Sequence, residues 1–214
     1  MNITFFRSPP KKNIFAPAWE YVVGEDIITK VNFKTLAKLI LKKEKTVLTS
    51  PTGNNLRSQY INWNKGYNLL DSKHPEIKKL QKAIIKAHIK FLEGLKVSLY
   101  PELYIQCWAN VMRKGEKMTT HIHGIHEDAY LGGQISIQVG ETTTYYMNPF
   151  NQIKDPQIYK SKNEVGKIVF YQTCLPHYTD AETSDIPRIT IAFDLLVNGN
   201  SPIFSSQKNF KRIY

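Results

Sequence analysis

Apolar residues recur at helical spacing in two segments of the first half of the chain. Residues 33–44 carry an apolar side chain at about every third or fourth position with lysines between them, and Asn32 precedes them as a candidate N-cap. A longer segment begins at His74-Pro75, with proline in the first turn, and is predicted to end near Gly94. Both segments are predicted to be amphipathic helices. The apolar stripe of the second consists of Ile77, Leu80, Ile84, His88, Phe91 and Leu95.

From residue 99 the apolar period changes to two, which is typical of strands. In the segment from Leu103 to Met112 the odd-numbered residues form an apolar face, and Trp108 and Asn110 belong to a second, half-polar face. This order of elements favours two helices packed outside a β-sandwich or barrel. Further strands are predicted over residues 131–139, 141–147, 166–171 and 187–197.

The length of 214 residues and a hydrophobic content of 42% predict a single domain with one sizeable core. Within it we expect N-terminal strands and supporting helices over residues 1–98. A β-rich core is expected over residues 99–198 and a C-terminal tail over residues 199–214. The segment from Thr49 to Gly66 is rich in polar and aromatic residues and is expected to be a working loop.

The first residues contain no apolar run long enough for a signal peptide, and no segment approaches the roughly 20 apolar residues of a membrane span. Cys107 and Cys174 are therefore expected to be buried free thiols in a reducing compartment, although two cysteines also permit one disulfide. These features predict a cytoplasmic protein without a membrane partner.

Lysine and arginine exceed aspartate and glutamate by 29 − 18 = 11, an excess that attracts anions in general. Much of it lies on the second predicted helix, opposite the apolar stripe. Without interleaved aromatic residues or a known binding module, this face is interpreted as solvated surface, and nucleic-acid binding is not favoured. The lysines of this face are Lys78, Lys79, Lys82, Lys86 and Lys90.

Three histidines are candidates for a metal site. His121 and His123 are separated by one residue, so on a strand both imidazoles point to the same face and Ile122 points to the other. A third ligand must come from elsewhere in the fold, and the candidate is His177, which follows an apolar strand. The alternative is a surface cluster of loop histidines, because His126 lies close by in the sequence.

A cation and a hydroxyl share one face of the strand that follows Pro187. Arg188 and Thr190 are two residues apart on a strand whose other face is apolar, and burying them requires partners. A carboxylate held by the guanidinium and the hydroxyl satisfies both groups, so a bound dicarboxylate fits. The alternative is an internal salt bridge, for which the candidate partners of Arg188 are Asp180, Glu182 and Asp185.

Several short motifs follow one another between about residues 50 and 197. They are Asn54-Asn55-Leu56-Arg57-Ser58, Trp108-Ala109-Asn110, Gly115, His121-Ile122-His123, Leu131-Gly132-Gly133, Asn148-Pro149, Val165 to Phe170, Pro176-His177 and Arg188 to Phe193. This ordered series resembles the 2-oxoglutarate- and iron(II)-dependent oxygenase superfamily, specifically small oxygenases of marine bacteria and their phages. The resemblance implies a mostly β fold, a double-stranded β-helix or cupin-like jelly roll, buttressed by two or more N-terminal helices.

The resemblance also implies an iron site with His121 and His177 as ligands. The usual second ligand of the superfamily is an aspartate or glutamate, and that position holds His123 here. A site of three neutral imidazoles carries one more positive charge than two histidines and a carboxylate. Alternatively, Glu127 or Asp128 supplies the carboxylate from a longer loop.

For the cosubstrate, the resemblance implies that Arg188 and Thr190 hold the distal carboxylate of 2-oxoglutarate. Asn110 and Trp108 would line the cavity. A phenol from the Tyr145-Tyr146 pair, with Tyr146 as the candidate, would contact the cosubstrate.

The resulting hypothesis is a dioxygenase that uses iron(II), 2-oxoglutarate and O2, and that hydroxylates an unactivated C–H bond with release of succinate and CO2. Its substrate would be a small molecule or a protein side chain, and its location the cytoplasm, that of a phage host if the gene is phage-encoded. The alternatives are a cupin-like metalloprotein that uses the three histidines for another metal such as zinc, and a non-catalytic binding module on the same fold.

Overall fold

The computed structural model describes residues 1–47, 59–60, 68–150, 157–199 and 210–214. Apart from Gln59 and Tyr60, the predicted working loop from Thr49 to Gly66 lies outside the described residues. The helices within them are α1 (Phe33–Val47) and α2 (Pro75–Leu95), with a short 3-10 helix over Leu69–Asp71. The strands are β1 (Asn2–Arg7), β2 (Glu20–Ile27), β3 (Gln59–Tyr60), β4 (Tyr104–Met112), β5 (Ala129–Gln138), β6 (Thr143–Met147), β7 (Ile158–Lys162), β8 (Lys167–Tyr171), β9 (His177–Thr179), β10 (Arg188–Leu196) and β11 (Lys211–Arg212).

These strands form two antiparallel sheets. The larger sheet has the order β1-β2-β8-β5-β10-β4-β11, and β3 also pairs with β4. The smaller sheet has the order β7-β6-β9. The mostly β fold with flanking helices is as predicted, and the N-terminal strands β1 and β2 extend the same sheet that contains β4, β5, β8 and β10.

Both helices begin where the sequence predicts. The Asn32 side-chain oxygen accepts a hydrogen bond from the Thr35 amide at 3.0 Å, and His74 Nδ1 accepts one from the Glu76 amide at 3.2 Å. These caps satisfy amide donors that have no partner within the helix. The helices pack on the larger sheet, where for example the Phe91 ring stacks on Phe170 at 5.5 Å. The lysines of α2 predicted to face solvent are exposed.

The end of α2 lies one residue beyond the glycine predicted to mark it. Gly94 lies inside the helix, which ends at Leu95, and Lys96 closes it in the left-handed conformation with φ 57°. Gly94 instead makes room for β1, because a Cβ atom there would lie 2.6 Å from the Ile3 Cδ1 atom. The glycine therefore marks close packing between helix and strand.

The two cysteines are free, as predicted. Cys107 is fully buried and Cys174 is half-buried, so burial is complete for only one of the two thiols. Neither described helix has the length and hydropathy needed to cross a membrane.

Strand β10 lies between β4 and β5 and has two different faces. Ile189, Ile191 and Phe193 belong to the apolar core that the helices cover. The opposite face, as the alternation predicts, carries the polar residues. They are Arg188, Thr190 and Asp194, all buried.

Candidate metal centre

His121 and His177 are joined through their backbones. They form an isolated antiparallel bridge in which the His121 amide donates to the His177 carbonyl at 3.1 Å and the His177 amide donates back at 3.0 Å. His177 is the first residue of β9, and the His123 amide donates to the Thr173 carbonyl at 2.9 Å. Two distant segments of chain are thereby held side by side, which sequence alone could suggest but not establish.

The three imidazoles converge as the sequence suggested. One ligand atom from each of His121, His123 and His177 lies within 4.8 Å of the others. The ring centroids of His121 and His177 are 4.2 Å apart, and those of His123 and His177 are 4.9 Å apart. Ile122, between the two strand-spaced histidines, is 43% exposed, so it points away from the cluster.

The Nδ1 atom of each imidazole has its own acceptor. His121 Nδ1 donates to the Thr119 carbonyl at 2.8 Å, and His177 Nδ1 donates to the Leu175 carbonyl at 3.0 Å. Because a carbonyl only accepts, these bonds fix the proton on Nδ1 and leave the Nε2 lone pair free. This is the arrangement in which neutral histidines bind a metal.

Burial keeps two of these imidazoles neutral. The pKa of His177 lies well below its ordinary value because the ring is buried, and because His121 and His123 would repel its charge. The pKa of His121 is also lowered, first by burial and then by His123. A proton therefore competes poorly with a metal ion at these two imidazoles.

The sequence interpretation missed two residues of this centre. The carboxylate of Asp194, on β10, accepts a hydrogen bond from His123 Nδ1 at 2.5 Å. The hydroxyl of Tyr171, at the end of β8, lies 3.1 Å from His123 Nε2 and 3.3 Å from His177 Nε2. Asp194 could have been found, because it continues the polar face of Arg188 and Thr190 at steps of two. Tyr171 ends an apolar strand and gives little signal.

The alternative ligands are not part of the cluster. Glu127 is exposed, Asp128 is half-buried, and neither carboxylate joins the group formed by the three imidazoles. His126 lies in the same loop, outside this group as well. Among the described residues, the Asp194 carboxylate reaches the cluster by accepting a hydrogen bond from His123, but it is not one of the three grouped candidate ligands.

Arg188 is buried, with 4% of its surface exposed, and the side chains that accept its hydrogen bonds are neutral. One guanidinium nitrogen donates to Thr144 Oγ1 at 3.0 Å and to the Asn163 amide oxygen at 3.3 Å, while its Nε atom has no hydrogen-bond partner. Burial lowers the pKa of Arg188 to about 10, although Tyr146 and Glu182 act in the opposite direction. The group therefore stays charged at neutral pH.

The predicted salt-bridge alternative is not seen. Asp185 pairs with Lys114 at 2.9 Å, and Asp180 accepts from the Tyr145 hydroxyl at 2.9 Å. Glu182 accepts instead from the backbone amides of residues 141 and 184. Among the described residues no carboxylate forms an ion pair with Arg188. A buried cation that forms no ion pair is costly, and a bound anionic ligand would reduce this cost.

The remaining candidate residues lie on strands β4, β6 and β10. Trp108 contacts the His123 ring at 5.6 Å, and Asn110 has a buried side-chain oxygen without a hydrogen-bond partner. Thr190 is buried and pairs in register with Asn110. Tyr146 is fully buried, with its ring 5.6 Å from that of His177.

Of the two adjacent tyrosines, Tyr146 is therefore the one that faces inward. Its hydroxyl makes no hydrogen bond of normal geometry, although Gln134 lies near enough to interact with it weakly. Tyr145 points outward, where it stacks on Tyr178 at 4.8 Å.

Strand β6 links Arg188 to the histidines. Thr144 contacts the guanidinium, and Tyr146, two residues along the same face, contacts His177. Two residues of strand cover about 7 Å. This separation suits a short dicarboxylate with one end at the guanidinium and the other at the histidines.

The donor set fits a divalent transition metal such as iron(II). Imidazole nitrogens suit iron, zinc and nickel, and one nitrogen from each of the three rings lies within 4.8 Å of the others. Nitrogens that bind one ion at about 2.1 Å lie roughly 3–4 Å apart, so the side chains need to draw together only slightly. Three protein ligands also leave open positions for other ligands.

Comparisons with known proteins agree with this geometry. Residues 106–194, less than half of the chain, match a family described as "Putative 2OG-Fe(II) oxygenase". A comparison with curated protein sequences gives no match. The matched segment contains all three histidines, Arg188 and Asp194.

Solved structures share the fold at low identity. A carbocyclase from nogalamycin biosynthesis, SnoK, has a TM-score of 0.58 and 16% identity over 82% of this chain and 79% of that chain. A prolyl-4-hydroxylase from Pseudomonas putida has a TM-score of 0.58 and 13% identity over 83% and 93% of the two chains. The viral collagen prolyl hydroxylase of Paramecium Bursaria Chlorella virus-1 has a TM-score of 0.56 and 13% identity over 82% and 96%.

These structures confirm the predicted jelly roll, and the family match names the cofactors that the motifs imply, 2-oxoglutarate and iron(II). The narrower likeness to oxygenases of marine bacteria and phages stays a prediction. Residues 106–194 are therefore similar to a family described as 2OG-Fe(II) oxygenases, as the motif series predicted.

Proposed function

We propose that this protein hydroxylates an unactivated C–H bond in a reaction that consumes 2-oxoglutarate and O2. One oxygen atom enters the substrate, and the other enters the succinate that forms with CO2. The observation that carries the proposal is the placement of Arg188, a buried cation that forms no ion pair with any described carboxylate, one strand segment away from three imidazoles that could hold a metal ion.

In this proposal His121, His123 and His177 hold iron(II) through their Nε2 atoms. The iron supplies the oxygen activation that side chains lack. The backbone bridge between His121 and His177 fixes two ligands, and the Nδ1 hydrogen bonds orient the rings. When the Nε2 lone pairs bind the metal, the Tyr171 hydroxyl loses them as acceptors and must donate to another oxygen in the site.

Arg188 binds and orients the distal carboxylate of 2-oxoglutarate. Its unpaired Nε atom and the buried hydroxyls of Thr190 and Tyr146 offer the donors that a carboxylate requires. Trp108 and Asn110 form part of the wall on β4. The buried position of these groups excludes water, which strengthens each charge-assisted hydrogen bond.

We propose a small molecule or a protein side chain as the substrate. Both kinds of chemistry are represented among proteins of this fold, in a carbocyclase and in prolyl hydroxylases.

The test is succinate release from 2-oxoglutarate by the purified protein with a panel of metabolites and peptides. The proposal predicts release that requires both iron(II) and O2 and that rises with the right substrate. An activity that requires zinc and is unaffected by 2-oxoglutarate would support the three-histidine metalloprotein instead. Failure of the folded protein to bind either metal or 2-oxoglutarate would indicate a non-catalytic module.

A further inference from the structure

Asp194 has one ion-pair partner in the part of the chain that the structure describes, the imidazole of His123. Both side chains are almost buried, with 10% and 7% of their surfaces exposed, and the contact measures 2.5 Å. A buried carboxylate is costly unless a positive charge compensates it. A neutral imidazole supplies a hydrogen-bond donor but no charge, whereas an imidazole with a metal ion on its opposite nitrogen would supply both the donor and a positive charge.

The surroundings of His123 leave its ring little freedom. Trp108 contacts it at 5.6 Å and Tyr171 meets it edge-on at 5.5 Å and 77°. The bond from Nδ1 to Asp194 fixes the remaining rotation about the ring axis. Nε2 is thereby left on the side of the cluster, where it and the His177 Nε2 atom both lie within 3.3 Å of the Tyr171 hydroxyl.

Gly132 provides the space for this arrangement. It lies directly opposite Asp194 in the register of β5 and β10. A Cβ atom at Gly132 would lie 2.7 Å from a ring carbon of Tyr171 and 3.2 Å from His123 Nδ1. Both contacts are shorter than normal packing allows, so a side chain at this position would displace the pair. Three strands thus contribute to placing one hydrogen bond.

We propose that Asp194 is a positioning residue that supplies, through His123, the negative charge that a carboxylate ligand would otherwise supply directly. The inference rests on the proposed metal-binding role of the three histidines. In this arrangement a carboxylate is still part of the centre, but it accepts a hydrogen bond from His123 Nδ1 and does not bind the metal itself. Hydrogen bonding to a carboxylate makes an imidazole a stronger donor at its other nitrogen.

A double-mutant cycle tests this inference with Mn(II) as the probe, measured by calorimetry or by the loss of free-ion EPR signal. In the otherwise unchanged protein, Asp194→Asn should weaken Mn(II) binding by about 10- to 100-fold, the usual effect of removing a carboxylate behind a histidine ligand. In the His123→Asp background a carboxylate can bind the metal directly. There Asp194→Asn should leave the affinity unchanged or raise it, because two adjacent buried carboxylates repel each other.

The control is Asp185→Asn. The Asp185 side chain is 88% exposed and pairs with Lys114. This substitution should not change Mn(II) affinity. Circular dichroism and thermal unfolding establish that each variant is folded. If Asp194→Asn does not fold, the same question is answered in the unmodified protein loaded with Zn(II), by NMR of the histidine side chains. The Nδ1 proton of His123 should then be shifted downfield of those of His121 and His177.

The results distinguish a failure of the proposed function from a failure of the proposed role of Asp194. An unmodified protein that binds no Mn(II) overturns both the proposed function and the role of Asp194. Normal Mn(II) binding by folded Asp194→Asn overturns the role of Asp194 alone. An equal loss of affinity in both backgrounds also overturns it, because it would indicate a purely structural effect. Three Nδ1 protons with the same chemical shift would overturn the role of Asp194 as well.

Discussion

His121 and His177 bond to each other twice through their backbones, with N–H to O distances of 3.1 and 3.0 Å. This bridge places the two imidazoles side by side, with ring centroids 4.2 Å apart and ring planes inclined by 53°. Because the backbone makes the bridge, replacing either side chain should leave it in place. The metal site can therefore be removed without removing the fold that surrounds it.

His177→Ala should accordingly abolish metal binding in a folded protein. One of three ligands is lost, and the effect should exceed the roughly 10- to 100-fold change expected from a residue that contacts only a ligand. Mn(II) titration followed by calorimetry measures it. The matched control is His126→Ala, which alters a neighbouring loop histidine outside the cluster. Equal loss of affinity in the two variants would show that the cluster is not the metal site.

Arg188→Ala should weaken 2-oxoglutarate binding while metal affinity stays nearly constant. Charge-assisted hydrogen bonds contribute about 2–3 kcal/mol, so we expect a roughly 30- to 150-fold rise in the dissociation constant. Calorimetric titration with 2-oxoglutarate under anaerobic conditions measures it. Arg113→Ala serves as control, since Arg113 is partly exposed and pairs with Glu44. Unchanged 2-oxoglutarate affinity in Arg188→Ala would remove this residue from the cosubstrate site.

Tyr146→Phe should stabilise the ligand-free protein and also weaken its binding of 2-oxoglutarate. A buried hydroxyl without a good hydrogen bond costs about 1–3 kcal/mol, so removing it should raise the free energy of unfolding of the ligand-free protein. Affinity for 2-oxoglutarate should fall, since the hydroxyl is proposed to donate to it. Chemical denaturation and calorimetry measure the two effects. Tyr145→Phe, in the outward-facing neighbour, should leave cosubstrate affinity unaltered, and a stabilised Tyr146→Phe with full affinity would refute the role.

Acid should destabilise the fold through His88. This ring is buried between Tyr214, 3.0 Å from Nδ1, and Tyr130, 3.3 Å from Nε2, and burial lowers its pKa to about 4. The unfolded chain takes up the proton near pH 6.5, so the stabilising effect is complete above that pH. It is lost as the pH falls from about 6.5 to 4, by roughly 3 kcal/mol from this residue.

Urea unfolding at pH 7 and pH 4.5 measures this loss. In His88→Gln, whose amide can still donate to one hydroxyl and accept from the other, the fall in unfolding free energy between the two pH values should be smaller than in the unmodified protein. His121 and His177, whose pKa values are also lowered, contribute in both proteins. The same fall in both proteins would exclude His88 as a source of the acid sensitivity.

Much of the fold follows from periodicity. The two helices and the strands β4, β5, β6, β8 and β10 lie within a few residues of the predicted segments, because each buries one regular face. The positions of β1 and β2 were not predicted. These strands are partly exposed, and the pairing of β2 with β8 depends on residues far away in the chain. The domain limits within the chain stay a prediction, although the described part of the tail returns to β4 through β11.

The candidate site, like the fold, was only partly predictable from the sequence. Alternation along β10 predicts that Arg188 and Thr190 share a buried polar face, and Asp194 belongs to that face by the same rule. Neither the contact between Asp194 and His123 nor the approach of Tyr171 to two imidazoles can be predicted from spacing. They depend on the glycine at position 132 and on the pairing of β5 with β8 and β10.

The central claim is that one site binds iron(II) and 2-oxoglutarate together. An anaerobic titration of the iron(II)-loaded protein with 2-oxoglutarate, followed by visible absorption, tests it without knowledge of the substrate, because chelation of iron(II) by a 2-oxo acid produces a charge-transfer band. We predict a saturable band that requires both components, is lost in His177→Ala and needs far more 2-oxoglutarate in Arg188→Ala. Bound iron(II) that shows no band at saturating 2-oxoglutarate would contradict the account.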